Sequence, residues 1–545
     1  MKRFLSFLLA GTLLPFWGSG QQDYSNYQQQ SERLQRLAKD HGNLAKLRSL
    51  VQTDGGRSIW LLTIGAGKAD EKPALLVVGG VEGQAPLSTE LAIGFAENLL
   101  KSSGSDSIRK LLERTSFYVV PNLSPDAMEQ YFASVRYERN GNAKATDDDR
   151  DGKNGEDGYE DLDGNGKISW MRISSETGEY MPHPEDPRVM IKVDPAKPEK
   201  GMYRIETEGV DNDKDGKWNE DGEGGVAINR NMSFRHPSFT AGAGEFPVSE
   251  KENRALLDFL FDRFNVYGVV CFSSQNNLSQ PYTYSAAQAK ATITTGWQEN
   301  DVKINSKVSD IYNKTVGMKD APKSATPGGD FLSWAYYHYG RFSFGTPGWW
   351  VPKTRPDSSR KEKAFSREDA VANYLRWAEQ QGINNNFTPW KKIEHPDFPG
   401  QLVEVGGVDP FVLHTPPYRL VNGLVEKHTR FIVELAALQP ETDLVNLRTE
   451  KMGNGLTRIT VDLINRGQLP STTELGERSA WVKRILVKTT LSKGQTLLTG
   501  RARQTIGSLD GQATQTISWL VSGTGQFEIE AGSPATGTRK LSITL

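Results

Sequence analysis

Three short acidic stretches carry the clearest local chemistry in this 545-residue chain. Asp147, Asp149 and Asp151 precede Gly152; Asp161, Asp163 and Asn165 precede Gly166; and Asp211, Asp213 and Asp215 precede Gly216. Oxygen donors at alternate positions, closed by a glycine, let a loop wrap a hard cation, and calcium takes six to eight oxygens. Glycine permits the left-handed turn that such wrapping needs. The twelfth position of each loop is Gly158, Arg172 or Gly222 rather than a bidentate Glu, so none is an EF-hand. Glu156, Asp157, Glu160, Glu220, Asp221 and Glu223 stand near enough to supply the missing carboxylate. Three copies within one stretch favour calcium over a solvated acidic loop.

A second chemical position lies at "VVGGVEGQAPLSTELA", residues 77–92. An apolar strand runs through paired glycines into a short loop and a helix, the junction where α/β enzymes display their chemistry. The loop offers Glu82 and Gln84, followed by Ala85 and Pro86. Cys271, the only cysteine, excludes an intrachain disulfide and any multi-thiolate metal site. A lone Cys in an apolar strand reads as a small core residue.

The elements that must position these groups alternate. Residues 23–50 read as helical, 57–65 and 73–80 as strands, about 88–102 and 105–113 as helices, and 116–126 as a strand. The pattern resumes with helix 249–264, strand 266–274 and helices 297–316 and 366–381, which argues for an α/β layered domain. Between about 140 and 225 it stops, in an acidic stretch rich in Gly and Asn that is too long for an ordinary loop. From about 440 onward, short alternating strands with polar turns predict a separate β-sandwich. At the N-terminus, Lys2 and Arg3 precede the apolar run Phe4–Trp17 and the small residues Gly18–Gly20. This reads as a signal peptide over 1–20, so the mature chain is expected to be exported, periplasmic or extracellular, with no membrane span. Charge is balanced, 65 Lys+Arg against 67 Asp+Glu, and gives no field for nucleic acid.

Read in order, several blocks of residues 21–437 resemble the zinc carboxypeptidase family in its secreted bacterial form. "FYVVPNLSPDAMEQY" is similar to its central strand and following turn, and "VAINRNMSF" to its substrate clamp. "FPVSEKENRALLDFL" is similar to its Ser-Glu-Pro-Glu helix, "VVCFSSQNN" to the strand ending in its last zinc ligand, and "PGGDFLSWAYYHYGRFSFGTPGWW" to the segment leading to its catalytic Glu. The resemblance implies an α/β/α sandwich on a mixed eight-stranded sheet, followed over 440–545 by the all-β sandwich.

It also implies where catalysis fails. The family's H-x-x-E and its later His fall on Glu82, Ala85 and Cys271; the general base falls among Gly345, Thr346 and Pro347; and the phenol-bearing position falls near Ser324. Catalytic zinc needs three protein ligands and an open water position. Ala85 has no donor atom, and no Glu stands near Pro347 to take a proton from water. Zinc is therefore not expected, and the chain reads as a pseudopeptidase. The family's carboxylate clamp survives as Asn229 and Arg230, with Arg172 matching its oxyanion-stabilising Arg. An ion pair from Arg230 to Glu82 is the plain structural alternative to retained ligand binding. The expected partner is the C-terminal carboxylate of a peptide or a peptidoglycan stem. The competing readings are an active metallocarboxypeptidase with an unusual metal site and a structural or adhesive module.

Overall fold

The computed structural model describes residues 23–147, 152–194, 200–219, 222, 224–325, 328–354 and 366–545. The proposed signal peptide, Asp149 and Asp151 lie outside these residues, as do Glu220, Asp221 and Glu223.

Helix α1 (Tyr27–Asp40) starts from a reciprocal cap in which Asn26 and Gln29 satisfy each other's backbone N–H. It is followed by the edge hairpin β1 (Ala45–Gln52) and β2 (Ser58–Ile64), and then by β3 (Ala74–Val78). The single helix expected over 23–50 therefore ends at His41. The leucines at 44, 47 and 50 fit a helical spacing, but Ala45–Gln52 pairs with β2 in antiparallel register instead. Helices α2 (Pro86–Lys101) and α3 (Asp106–Arg114) lead to β4 (Ser116–Val120) and the short α4 (Pro125–Met128).

The acidic stretch is more regular than its composition suggests. It holds β5 (Trp170–Ser174), β6 (Tyr180–His183), β7 (Asp186–Lys192) and β8 (Tyr203–Thr207). The chain then returns through α5 (Lys251–Phe261), β9 (Val266–Phe272), α6 (Ala286–Ala289), α7 (Glu299–Val316), α8 (Phe331–Tyr337) and β10 (Phe342–Thr346). Helix α9 (Arg367–Gln380), the hairpin β11 (Phe387–Ile393) and β12 (Val403–Val408), and α10 (Val421–Ala437) complete this part.

Among the described residues the main sheet has six strands in the order β1-β2-β4-β3-β9-β10, not eight. β3 pairs in parallel with both β4 and β9, and β10 in parallel with β9, while β1 and β2 are antiparallel, so the sheet is mixed as expected. β3, β4 and β9 are buried along their whole length, which is why they read as unbroken apolar runs. One face packs under α2, α7, α9 and α10, the other under α5 and α8. β11 and β12 leave the main sheet and join the strands of the acidic stretch in a second sheet, β11-β12-β5-β8-β6-β7.

The remaining strands are β13 (Thr442–Gly453), β14 (Leu456–Asn465), β15 (Ile485–Leu491), β16 (Thr496–Thr499), β17 (Arg503–Ile506), β18 (Thr514–Ser522), β19 (Gln526–Ser533) and β20 (Gly537–Thr544). They form two four-stranded sheets around a core that includes Trp519, Val487 and Phe527. This all-β unit is docked on the rest. Leu469 and Ala535 pack into the core beneath α2 and α10, and the buried Asp301 carboxylate of α7 accepts the N–H groups of Glu474 (2.8 Å) and Leu475 (3.2 Å).

Candidate functional site

The loop after β3 is held in place by its glycines. A Cβ on Gly79 would sit 2.4 Å from the Ser88 carbonyl, and Gly80 has φ +58 and lies against Asn122. The loop therefore presses onto the start of α2 and presents Glu82 at the carboxyl ends of β3 and β9. The Glu82 carboxylate accepts three hydrogen bonds: from Asn229 Nδ2 (2.9 Å), from the backbone N–H of Ser274 (3.0 Å) and from the Ser274 hydroxyl (2.6 Å). Asn229 is engaged on its other side, where its oxygen accepts the Phe331 N–H at 3.0 Å. One carboxylate thus ties together the β3 loop, the 3-10 turn Ile228–Arg230 and the end of β9.

This donor set does not fit a catalytic zinc. Both Glu82 oxygens already face N–H or O–H donors, and Ala85 contributes no ligand atom. Cys271 is fully buried on β9 among Leu256, Phe331 and Leu332, and burial pushes its thiol far above the usual range. A thiol held neutral in this way is a poor ligand. The expected site of the base is filled as well. A side chain at Gly345 would start 2.6 Å from Leu332 Cδ2 and 3.0 Å from the Gln275 carbonyl, so neighbouring core and backbone occupy its space. Thr346 bonds the buried Tyr312 hydroxyl, and Ser324 accepts the Asn276 N–H. Trp349 and Trp350 are packing residues, each 6% exposed.

Arg230 forms no ion pair with Glu82. Its Nη2 donates to the Thr240 hydroxyl at 3.0 Å, and its Nε is buried without a hydrogen-bond partner among the described residues. Arg172 is elsewhere. It lies on β5, paired with Glu404 of β12 at 2.8 Å, its guanidinium 4.5 Å from the Trp390 ring, and none of its contacts is a cleft residue. The arginine beside the Glu82 loop is Arg139, whose carbonyl packs against Gly83 and whose guanidinium donates to the carbonyls of Gly141 and Asn142. The next residue, Asn140, donates to Gln84 Oε1 at 2.8 Å. Sequence reading missed Arg139, Ser274 and Gln275. "SSQ" directly after β9 was the available signal, but serine and glutamine there have no spacing that marks them as partners of a distant Glu.

Two further acids are buried, Asp330 beside Glu82 and Glu252 on α5. Asp330 caps α8 through the Ser333 N–H, and burial, with Glu82 nearby, raises its pKa. Glu252 on α5 is 1% exposed and pushed up to about 7 by burial; Asn142 donates to one of its oxygens and the other has no partner among the described residues.

In the acidic stretch the three loops close alike. The N–H of Gly152 donates to Asp147, that of Gly166 to Asp161 and that of Gly216 to Asp211, at 2.9, 2.7 and 3.0 Å. Among the described residues two groups of carboxylates converge, Asp161–Asp163–Glu208 and Asp211–Asp213–Asp215. Asn165 contributes its N–H to Asp161 and Asp163. Glu208, fully buried, was not visible as a partner in the sequence because it comes from beyond β8, 46 residues after Leu162, whose N–H it accepts.

A family model described as zinc carboxypeptidase matches residues 31–347, and one described as a domain of unknown function matches 441–544. Human carboxypeptidase D is 34% identical over 112 residues, covering 20% of this chain and 8% of that protein. A zinc carboxypeptidase of Saccharothrix mutabilis subsp. capreolus is 24% identical over 119 residues, covering 21% of this chain and 27% of that one. The chain thus spans less than a third of the length of either relative. Among solved structures, thrombin activatable fibrinolysis inhibitor superposes with a TM-score of 0.36 at 13% identity, over 58% of this chain and 65% of that one. A metallo-carboxypeptidase from Burkholderia cenocepacia gives 0.32 at 13%, over 65% and 69%. With more than half its length matched by the family model, the chain belongs to the zinc carboxypeptidase family. Among the described residues no helix is long and apolar enough to cross a membrane.

Proposed function

We propose that this chain is an exported, non-hydrolytic member of its family that binds the free C-terminal carboxylate of a peptide or of a peptidoglycan stem. The observation that carries the reading is the state of Arg230: a guanidinium whose only hydrogen-bond partner among the described residues is a hydroxyl, with a buried Nε left over. An arginine in that state is suited to a carboxylate, which takes two parallel N–H bonds in a fork. Asn229 contributes less than the resemblance implies, because Glu82 holds its amide. Hydrolysis is unsupported for two reasons: a metal-held water needs three ligands and a base, and Glu82, Ala85, Cys271 and Gly345 supply neither. Export rests on Lys2, Arg3 and the apolar run Phe4–Trp17.

Peptides with free and with amidated C-termini, titrated into the full chain, test the reading. The free acids are expected to bind, and Arg230→Ala is expected to weaken them about tenfold or more while leaving the amides unchanged. Equal binding of both classes, or none, makes Arg230 structural. Stoichiometric zinc with release of C-terminal residues would establish an active enzyme.

We further propose that the acidic stretch holds calcium. The shared closure of the three loops and the convergence of Glu208 on Asp161 and Asp163 support it.

A further inference from the structure

The second sheet bears a cavity of about 520 Å³ whose lining includes neither Glu82 nor Arg230 nor their hydrogen-bond partners Asn229, Ser274 and Thr240. Its walls come from all six strands of that sheet and the first turn of α9, and they include the rings of Tyr137, Tyr159, Trp170, Tyr180 and Trp390. Trp170 on β5 is 39% exposed and Tyr159 38%, unusual for rings of that size in a chain that buries most of its aromatics. Gly407 lies between the two indoles: a Cβ there would stand 3.3 Å from Trp170 Cδ1 and 3.7 Å from Trp390 Cη2. With φ at +110, that position favours glycine, and the missing side chain leaves a slot between the rings. Trp390 is held from behind by the Arg172 guanidinium, and its Nε1 donates to the Arg188 carbonyl at 3.4 Å. The ring is therefore fixed before any ligand arrives, which lowers the ordering cost of binding.

The rim is charged, and most of its charges are paired. Arg188 pairs with Asp186 and Glu379, both at 2.6 Å, Arg367 lies 3.9 Å from Glu138, and Asp409 is bonded by Lys167 and Thr388. Glu368 also lines the cavity, and with it the carboxylates outnumber the cations, so the site disfavours an anionic ligand. A ligand that suits the site must offer flat faces of C–H groups to the rings and a periphery of hydroxyls to the paired charges. An aromatic side chain has the first feature but would leave the rim carboxylates and guanidinium groups facing hydrocarbon. A pyranose ring has both, because its hydroxyls donate and accept in the ring plane. We infer that this cavity is a binding site for a neutral saccharide, with the sugar stacked on Trp170 above Gly407.

The inference stands apart from the reading of the cleft and is tested separately. The full chain is titrated calorimetrically with triacetylchitotriose, cellotriose and maltotriose, with a Phe-Trp amide as the peptide control. At least one trisaccharide is expected to bind saturably, Trp170→Ala to weaken it about tenfold, and Trp170→Phe to restore part of the loss. Trp170 is exposed enough that the variant should keep the parent's circular dichroism. Arg230→Ala should leave saccharide binding unchanged, so failure of the cleft reading and failure of this one are distinguishable. Absence of binding by all three sugars, binding that survives Trp170→Ala, or tighter binding of the aromatic amide would overturn it.

Discussion

Glu82→Gln tests whether this carboxylate is a structural tie or a remnant metal ligand. The change is isosteric, so it acts on hydrogen bonding alone. Glu82 Oε1 accepts from Asn229 and from the Ser274 hydroxyl, and Oε2 from the Ser274 N–H. Glutamine keeps one acceptor oxygen. Whichever way its amide turns, an NH₂ group meets at least one of those donors, and one charge-assisted bond becomes a donor–donor contact. Removing a bond to a charged group costs about 1.5–3 kcal/mol, and Glu82 is only half-buried, so a loss of about 2 kcal/mol is expected. For a domain larger than 250 residues that corresponds to about 2–4 °C in melting temperature. The assay is thermal unfolding of both proteins in excess chelator, repeated with zinc. The reasoning predicts a lower melting temperature for the variant in chelator and no rise for the parent with zinc. Equal melting in chelator would show that Glu82 ties nothing together, and a zinc-dependent rise seen in the parent alone would make it a ligand.

Glu252→Gln should do the opposite. Burial raises this carboxyl to about 7 from an ordinary 4.5, so the folded state holds the proton more tightly and wild-type stability falls as pH rises from about 4.5 to 7. The variant mimics the protonated acid; its advantage over the parent should grow to about 3 kcal/mol by pH 8 and vanish below pH 4.5, as read by denaturant unfolding. A constant difference across that range would remove Glu252 as the titrating group. Saturating calcium should raise the melting temperature relative to chelator, by an amount equivalent to about 3 kcal/mol at a hundredfold excess over the dissociation constant, and Asp161→Ala should lose part of that rise. Identical melting with and without calcium would leave the loops as solvated acid. Residues 441–545 expressed alone should give a strand-type circular dichroism spectrum; a disordered one would mean that the contacts of Leu469 and Ala535 with the α/β core are required for folding.

The α/β sheet was legible because its central strands are buried on both faces and so spell continuous apolar runs, as "ALLVV" and "VYGVVCF" do. The β-sandwich was legible for the complementary reason, a strict alternation with polar turns. The second sheet was not. β6 and β8 have no residue pointing wholly to a core except His183, so neither period shows, and acidic loops surround them. In the cleft, residue type alone shows that Ala85 and Pro347 carry neither a metal-ligand atom nor a base. The partners of these positions could not be read, because Ser274 meets Glu82 across 192 residues and Gln275 fills the space at Gly345 through tertiary packing. Arg172 was misplaced for the same reason: its partner Glu404 lies 232 residues downstream, and no local pattern announces the pair.

That pairing also constrains how the chain assembles. β5 can meet β12 only after the main sheet, α7 and α9 have been synthesised, so the second sheet cannot close while the acidic stretch is emerging. Any sheet that β5–β8 form before then has an open β5 edge, with its backbone N–H and C=O groups unpaired. Loop-closure entropy makes such a late, long-range pairing slow compared with the local hairpins. The dense negative charge of the neighbouring loops gives the waiting edge a reason not to recruit a second chain, since two such edges repel. In that light the carboxylates beside β5 are placed where an unfinished sheet would otherwise meet its own copies.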